Sequence, residues 1–262
     1  MLALLCACAL GPVQYRFTPA TQHVYDVQVV FDGFIPLLGG QEGLVDLTMS
    51  VAVDGLAPDS EGRPRAASEI KAFKLVYNGA ALPLTVDNVT PFFPKTTVSM
   101  TPGGKVVVTD APDVQLPVRL PGLHVKRFPD ITYLTVEFPD SEPEVGVSWT
   151  YTKAFGDSNV ETTITPRKID ESVVEMDVAV DQTYTVLEDE GTNVVESEKD
   201  AVASVTTHVA GKGRAVFDRT LGAMRSFEVV ATATSEVRDL KSGVKTERAL
   251  KTTLKSVLKT NP

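Results

Sequence analysis

The chain has 262 residues, of which 43% are hydrophobic and 23% are charged, and its formal net charge is −9. This composition excludes a largely disordered chain, and the acidic balance argues against a general nucleic-acid binder, which needs a basic surface to neutralise phosphates. Abundant Val and Thr, with 17 Pro and 18 Gly that break the chain at short intervals, predict strands rather than helices. We therefore expect an all-β fold of antiparallel strands.

Both cysteines of the chain, Cys6 and Cys8, lie in its apolar opening stretch, MLALLCACAL. This stretch is typical of the end of a signal-peptide apolar region but lacks the basic segment before it, so we expect the true start to lie further upstream. Leu5-Cys6-Ala7-Cys8 is similar to a bacterial lipobox, which predicts Cys8 as the lipidated residue. Plain secretion, or a cytoplasmic protein with an accidental apolar start, are the alternatives. No later run approaches the ~18 apolar residues of a transmembrane helix.

Alternation of apolar and polar residues predicts several strands in the first half of the chain. These strands lie at 23–32, 44–54, 70–77, 82–89 and 98–109. The first two are joined by an apolar loop at 33–40, and we expect them to pair antiparallel. The turn dipeptide Asn78-Gly79 closes the third strand, and Pro102-Gly103-Gly104 divides the last into two short strands.

Six prolines between residues 112 and 143 break the middle of the chain and mark a connection between two halves. One strand is predicted inside this connection, at 131–138. We therefore divide the chain into a leader at 1–12, an N-terminal β lobe at 13–110, the Pro-rich connection at 111–145 and a C-terminal β lobe at 146–262. The two lobes have a similar order of strands and turns, for which an internal duplication is one explanation.

The C-terminal lobe is predicted to contain a second set of alternating strands. They lie at 147–155, 160–166, 173–180, 202–209, 214–217 and 224–237, with an acidic loop at 188–200. Gly211-Lys212-Gly213-Arg214 is expected to be a turn between two of them. The last segment, 244–260, fits both helical and strand spacing, and its threonines favour the strand.

The end of the chain is basic, because residues 241–262 carry six Lys and Arg side chains against one acidic residue, Glu247. Two interpretations of this segment stay open. It is either a solvated strand face beside acidic neighbours or a basic contact surface for a membrane or a polyanion.

No residue pattern in the chain indicates catalysis. Ser148 is not flanked by the two glycines of a nucleophile elbow. His23, His124 and His208 are far apart in sequence and have no metal-binding spacing. The acidic stretch 188–200 could offer oxygen ligands to Ca²⁺, but its spacing is not that of an EF-hand and is more typical of a solvated loop. We therefore expect no catalytic residues, no metal site and no cofactor.

Three segments of the chain resemble elements of uncharacterised bacterial exported proteins and lipoproteins. They are 15–20 (YRFTPA), 138–149 (FPDSEPEVGVSW) and 211–222 (GKGRAVFDRTLG). The resemblance implies a two-halved antiparallel β assembly and carries no biochemical activity with it. Long curved strands are also similar to those of the lipoprotein-carrier half-barrels, which shelter acyl chains in an apolar concavity. We expect the two lobes to form a curved sheet, a half-barrel or a sandwich.

Large apolar side chains in two loops, together with the single Trp, are the candidate ligand contacts. They are Phe34 and Leu37 in the loop after the first strand, Phe92 and Phe93 before Pro94, and Trp149. The alternative is that the two loops cap the ends of the β layers and that the Trp covers one end of the core.

Taken together, the sequence predicts a non-enzymatic binding or scaffolding protein of the cell envelope, either periplasmic or anchored to the membrane by a lipid. Its partner would be a lipid or another apolar ligand, or an envelope protein. Nucleic acid is not expected as a partner, and contact with the membrane would be through the lipid anchor only. Two alternatives stay open: an interaction module that acts through strand edges and the basic last strand, and a hydrolase with an unrecognised site.

Overall fold

The computed structural model describes residues 11–35, 41–90, 93–111, 136–155, 158–191 and 194–259. In these ranges the chain is almost entirely β, and the four residues of α1 (Val86–Val89) form the one α-helix. None of the described residues forms a helix with the length and hydrophobicity that a membrane crossing would require. The predicted all-β class is confirmed.

The described residues form thirteen strands. They are β1 (Gln22–Ile35), β2 (Gln41–Leu56), β3 (Arg65–Tyr77), β4 (Ala80–Ala81), β5 (Thr96–Met100), β6 (Val106–Asp110), β7 (Trp149–Phe155), β8 (Ser158–Ile169), β9 (Val173–Glu188), β10 (Val194–Val195), β11 (Ala203–Asp218), β12 (Ala223–Asp239) and β13 (Lys245–Leu258). The last segment of the chain is thus a strand, as its threonines favoured.

All of the strands belong to one antiparallel sheet with the order β6-β5-β3-β2-β1-β13-β12-β11-β9-β8-β7, while β4 pairs with β3 and β10 with β9. The predicted pairing of the first two strands is confirmed, with Val29 opposite Leu47. The first half of the chain runs outward from β1, and the second half runs inward to β13. Because β1 also pairs with β13, where Val29 lies opposite Leu254, the two halves join into one sheet.

The sheet is strongly curved. The evidence is that both ends of the strand order contact the same short segment, Val136–Phe138. The Phe138 N–H donates to the carbonyl of Gly103, in the β5–β6 turn, at 2.7 Å. The Trp149 Nε1–H, at the start of β7, donates to the carbonyl of Glu137 at 2.7 Å. Strands lie about 4.8 Å apart, so the outermost of eleven strands would be separated by roughly 48 Å in a flat sheet. The predicted curved sheet is confirmed, and the face that carries these contacts is concave.

Alternation along each strand explains why one face of the sheet is buried. In β1 the inward side chains Tyr25, Val27, Val29 and Phe31 are 2–4% exposed, whereas Asp26 points outward and is exposed. The same period of two continues in the neighbouring strands. It fixes their register, because a shift by one residue would turn the inward apolar side chains into water. The sequence pattern therefore determines which face becomes the concave one.

The expected turn at Gly211-Lys212-Gly213-Arg214 is wrong, because β11 runs through it without interruption. Gly211 pairs with Val180 on one side and with Ala231 on the other. A Cβ atom on Gly211 would lie 2.7 Å from Val180 Cγ2 and 2.8 Å from Ala231 Cβ. Glycine here allows the side chains of neighbouring strands to approach closely within the sheet. The sequence alone does not distinguish such a glycine from one in a turn.

One predicted strand, at 82–89, is not formed, and another, at 131–138, is described only in part. At 82–89 the chain makes α1, which begins with a capping box in which the Asn88 side chain accepts from the Thr85 N–H at 3.0 Å. In the predicted strand 131–138, residues 131–135 lie outside the described residues, and Val136–Phe138 is not a strand. Its backbone instead bonds to Tyr15 and Gly103, which satisfies the N–H and carbonyl of Val136 and the N–H of Phe138 without a ladder.

Basic side chains of β13 and the residue after it lie beside acidic partners on the outer face of the sheet. Lys259 contacts Asp26 at 2.8 Å, and Lys245 contacts Glu236 at 2.8 Å. These side chains are about half exposed, and such pairs contribute little to stability, typically below about 1 kcal/mol. The arrangement favours the interpretation of the basic tail as a solvated strand face beside acidic neighbours.

Buried tyrosines make the fold sensitive to high pH. Burial raises the pKa of Tyr25, and it raises the pKa of Tyr15 and Tyr151 as well. In the unfolded chain a tyrosine has a pKa of about 10, so above that pH the unfolded state releases protons that the folded state keeps. The stability contributed below pH 10 is therefore lost as the pH rises beyond it, by about 1.4 kcal/mol per pH unit for each buried phenol.

We expect Tyr25→Phe to reduce the slope of stability against pH by about that amount between roughly pH 10 and pH 11. Urea unfolding at a series of pH values measures the slope. Between roughly pH 7 and pH 9, where tyrosines do not titrate in either state, the difference between variant and wild type should stay constant. An identical slope in both proteins above pH 10 would contradict the expectation.

Candidate functional site

The concave face is closed at one end by an aromatic cluster of Tyr15, Phe17, Phe138, Trp149 and Phe217. The rings of Tyr15 and Phe138 each lie 5.0 Å from that of Phe217 in edge-to-face geometry, and Trp149 lies 6.0 Å from Phe138. Residues 13–17 and 136–138, which supply three of these rings, cross the concave face here. We call this the packed end of the sheet.

Tyr15 fixes the packed end through polar contacts as well as through its ring. Its phenol donates to the carbonyl of Val136 at 2.9 Å and accepts from the N–H of Val136 at 2.8 Å. Its backbone N–H donates to the carbonyl of Pro102 at 2.8 Å. One residue thereby holds the β5–β6 turn and the segment that contacts β7, which are the two ends of the strand order.

The middle of the concave face has a floor of small residues on β11 and β12. Gly211, Gly213, Ala231 and Ala233 all point inward on these two strands, and Gly211 and Ala231 lie directly opposite each other. Larger apolar side chains that are only partly buried surround the floor; they are Val180, Val209, Phe227 and Leu254. The side chains on the floor are short, and the apolar side chains beside it are incompletely buried.

At the other end of the concave face, which we call the far end, β9 ends at Glu188 and β13 begins at Lys245. Arg248 Nη1 donates to Glu188 Oε2 at 2.7 Å, and their side chains are 21% and 7% exposed. The two residues belong to strands that are separated by β11 and β12 in the sheet. Since three strand spacings correspond to about 14 Å, the ion pair reaches across the concavity instead of along one ladder.

Phe34 supports this ion pair, because its ring lies 4.3 Å from the guanidinium carbon of Arg248. Such a cation–π contact contributes about 0.5–2 kcal/mol, depending on how far the cation is desolvated. Under the pair, Ala203, Val205 and Val237 form a second small apolar cluster. The far end therefore combines a partly buried charge pair with an aromatic ring and a few aliphatic side chains.

A second pair of opposite charges lies on the concave face near β7. Lys153 Nζ is 3.8 Å from Glu137 Oε1, with side chains only 18% and 13% exposed, and it also lies 5.5 Å from the ring centre of Tyr151. The aromatic packed end, the apolar floor and the charged groups together give the concave face a polarity that changes along the strands. Such a surface suits a ligand with an apolar body and a polar end.

The structure separates the residues that the sequence proposed as ligand contacts. Phe34 lies at the far end, Trp149 belongs to the packed end, and Phe93 packs partly buried against the main core. Trp149 covers one end of the core, as one of the two interpretations expected, and whether any of the three contacts a ligand stays a prediction. The remaining proposed residues, Cys8, Leu37 and Phe92, lie outside the described residues.

Sequence reasoning missed the charged pair and the small-residue floor. Composition alone groups Arg248 with the basic residues of the tail, although in a strand it shares a face with Leu250 rather than with Lys251. That parity was the available signal. Glu188 opens the acidic stretch 188–200, which the sequence predicts as a loop, and no sequence pattern links it to Arg248 on another strand.

The described residues bring together no group typical of catalysis or metal binding. Ser148 Oγ hydrogen-bonds the Thr165 hydroxyl at 2.7 Å on the surface. His208 lies 3.5 Å from Asp181 on the exposed outer face, and burial lowers the pKa of His23. Within the described ranges, no three His, Cys, Asp or Glu side chains are placed so that they could hold a metal ion together.

Comparisons with known proteins add no relative to this description. The chain matches no protein-family model, and no curated protein has a significantly similar sequence.

Proposed function

We propose that this protein is a non-enzymatic binding protein of the cell envelope that holds an amphipathic, lipid-like ligand on its concave face. The observation that carries the proposal is the change of polarity along that face, in which the apolar small-residue floor lies between the packed end, with its Glu137–Lys153 pair, and the charged far end. An apolar chain would lie along the floor beside Val209 and Leu254, with its polar end near Arg248.

Apolar burial would be the main favourable contribution to such binding. Burying one methylene group contributes about 0.8 kcal/mol, so a chain of about ten methylenes would contribute roughly 8 kcal/mol before the cost of immobilising it. On binding, the partly buried side chains around Gly211 and Ala231 would also bury apolar surface that is now in contact with water. Association costs about 4–15 kcal/mol, so the surface that the protein buries must add to the contribution of the chain itself.

The location in the envelope is part of the proposal and depends on the opening of the sequence. The apolar stretch with the lipobox-like Leu5-Cys6-Ala7-Cys8 supports export and acylation at Cys8. An acylated Cys8 would tether the chain to the membrane surface, where lipid-like ligands are abundant.

The floor of the concavity can be tested by filling it. We expect Ala231→Phe, which adds a ring beside Gly211 on the concave face, to weaken binding of a dansyl-labelled fatty acid by about tenfold or more, because the ring occupies the ligand's space. Ala210 precedes Gly211 in β11 and is exposed on the outer face of the sheet, so Ala210→Phe should bind the probe like wild type. Fluorescence titration measures both affinities.

The proposal fails if the wild-type protein does not bind the probe, or if both Phe variants bind it equally well. Ala231→Val, a smaller enlargement of the same side chain, should give a graded loss and so covers the case in which the Phe variant does not fold. Native mass spectrometry of protein taken from the membrane fraction should also reveal a copurified lipid. In the same spectrum, an unmodified Cys8 would contradict the lipid anchor.

A further inference from the structure

A polar pocket of about 340 Å³ lies at the packed end, beside residues 11–16 and the β11–β12 turn. Its lining includes the side chains of Gln14, Arg16, Glu171 and Arg219. Two arginines and one acid give the lining an excess of positive charge. This pocket is distinct from the small-residue floor and plays no part in the function proposed above.

Arg219 is fixed in this pocket but is not fully satisfied. Its backbone N–H donates to the carbonyl of Ser172 at 2.8 Å, and its Nη2 donates to the carbonyl of Gly11 at 2.6 Å. Its Nη1 is buried and has no hydrogen-bond partner. A buried guanidinium nitrogen without an acceptor is unusual, and it is the kind of group that a bound anion would satisfy.

Arg16 is fixed by its contacts with the β11–β12 turn. Its backbone N–H donates to the carbonyl of Gly222 at 2.9 Å. Gly222 has a φ of +66°, and a Cβ there would lie 2.6 Å from Arg16 Cγ, so glycine provides both the turn and the room for the Arg16 stem. The turn thus places the two arginines on the same pocket.

Neither arginine has an acidic partner within the described part of the chain. Asp218, next to Arg219 in sequence, is engaged by Arg225 at 2.6 Å and accepts the N–H groups of Thr220 and Leu221. Glu171 lines the pocket but forms no ion pair with Arg16 or Arg219. The positive charge of the pocket is therefore available to a ligand.

We propose that Arg16 and Arg219 bind a phosphate group in this pocket. A phosphate offers several strong acceptor oxygens and negative charge, so a single group can accept from both planar guanidinium groups and from the Gln14 amide. The phosphate is either a free inorganic anion or the phosphodiester of a lipid headgroup. The chemistry of recognition is the same for both sources.

Calorimetric titration with inorganic phosphate, at low salt, tests the free anion. We expect saturable binding to the wild-type protein and a loss of affinity of about tenfold or more in Arg219→Gln and in Arg16→Gln. Arg219→Lys, which keeps the charge but not the planar fork, should fall between them and wild type. Arg238→Gln removes the same charge from the exposed outer face of β12 at the far end and should bind like wild type.

Flotation of the Cys8→Ser protein, which carries no acyl anchor, with vesicles tests the headgroup. Binding to phosphatidylglycerol in phosphatidylcholine, absent for pure phosphatidylcholine and lost in Arg16→Gln, assigns the pocket to a lipid headgroup, whereas phosphate binding without vesicle binding assigns it to the free anion. The proposal is overturned if neither ligand binds, or if Arg238→Gln reduces binding as much as the pocket variants do. Arg16 is exposed, so Arg16→Gln provides a folded variant even if Arg219→Gln is unstable.

Discussion

Tyr15→Ala is expected to lower the free energy of unfolding by about 5 kcal/mol. The ring is 3% exposed and packs on Phe217, and loss of a buried aromatic side chain costs about 3–5 kcal/mol. The variant also leaves the N–H and carbonyl of the buried Val136 without the Tyr15 hydroxyl, at about 1–3 kcal/mol for each unpaired group. Since a domain is stable by only about 5–15 kcal/mol, this single change should remove about a third or more of its stability. Urea unfolding measures the loss.

Two further variants separate the causes of this loss. Tyr15→Phe keeps the ring and removes only the hydroxyl, so it should cost about 2 kcal/mol. Val107→Ala, at a side chain that is 47% exposed on β6, should change stability by less than about 0.5 kcal/mol. A cost for Tyr15→Ala no larger than that for Tyr15→Phe would mean that the packed end does not hold the sheet together.

Long strands with one solvent face were predictable, because burial of one face of a strand requires apolar residues at every second position of the sequence. In β1 and β2 alternate side chains point to the concave face and are apolar, so the sequence period is two and the strands are found almost to their ends. The same reasoning found β13, where Leu250 and Leu258 are buried and Lys251 and Lys255 are exposed. The antiparallel class and the curved sheet follow from these strands and the short turns between them.

Other elements could not be predicted, because the same residue type serves two structures. Gly211 permits close packing of strands inside β11, although an isolated Gly-x-Gly is equally typical of a turn. The segment that ends in α1 has strand-like alternation, but the capping of Thr85 by Asn88 begins a helical turn there. The helical turn formed because the side-chain cap competed successfully with pairing to a neighbouring strand. The sequence does not show which of these two interactions is stronger.

The candidate site was less predictable than the fold, because its contacts are distant in sequence. Tyr15 and Val136 are separated by 121 residues, and no period or motif links them. Trp149 is the single Trp of the chain, but only its hydrogen bond to the Glu137 carbonyl identifies it as part of the packed end. Strand parity alone would have moved Arg248 from the basic tail to the concave face.

Arg248→Met should destabilise the protein by about 3 kcal/mol, because it leaves the carboxylate of Glu188, with a side chain only 7% exposed, without its cation. We expect the lower end of the usual range of about 3–5 kcal/mol, since the Arg248 side chain is 21% exposed and water moderates the interaction. The loss of the contact with the Phe34 ring adds to the effect. Urea unfolding again measures the change.

The double variant Glu188→Gln with Arg248→Met should be more stable than Arg248→Met alone, because it removes the unpaired charge that causes most of the loss. Lys255→Met is the matched control on the same strand: its ammonium lies 4.0 Å from Glu228 on the outer face, and both side chains are more than half exposed. This control should change stability by less than about 1 kcal/mol. If Arg248→Met costs no more than Lys255→Met, the ion pair across the concavity does not hold the far end of the sheet together.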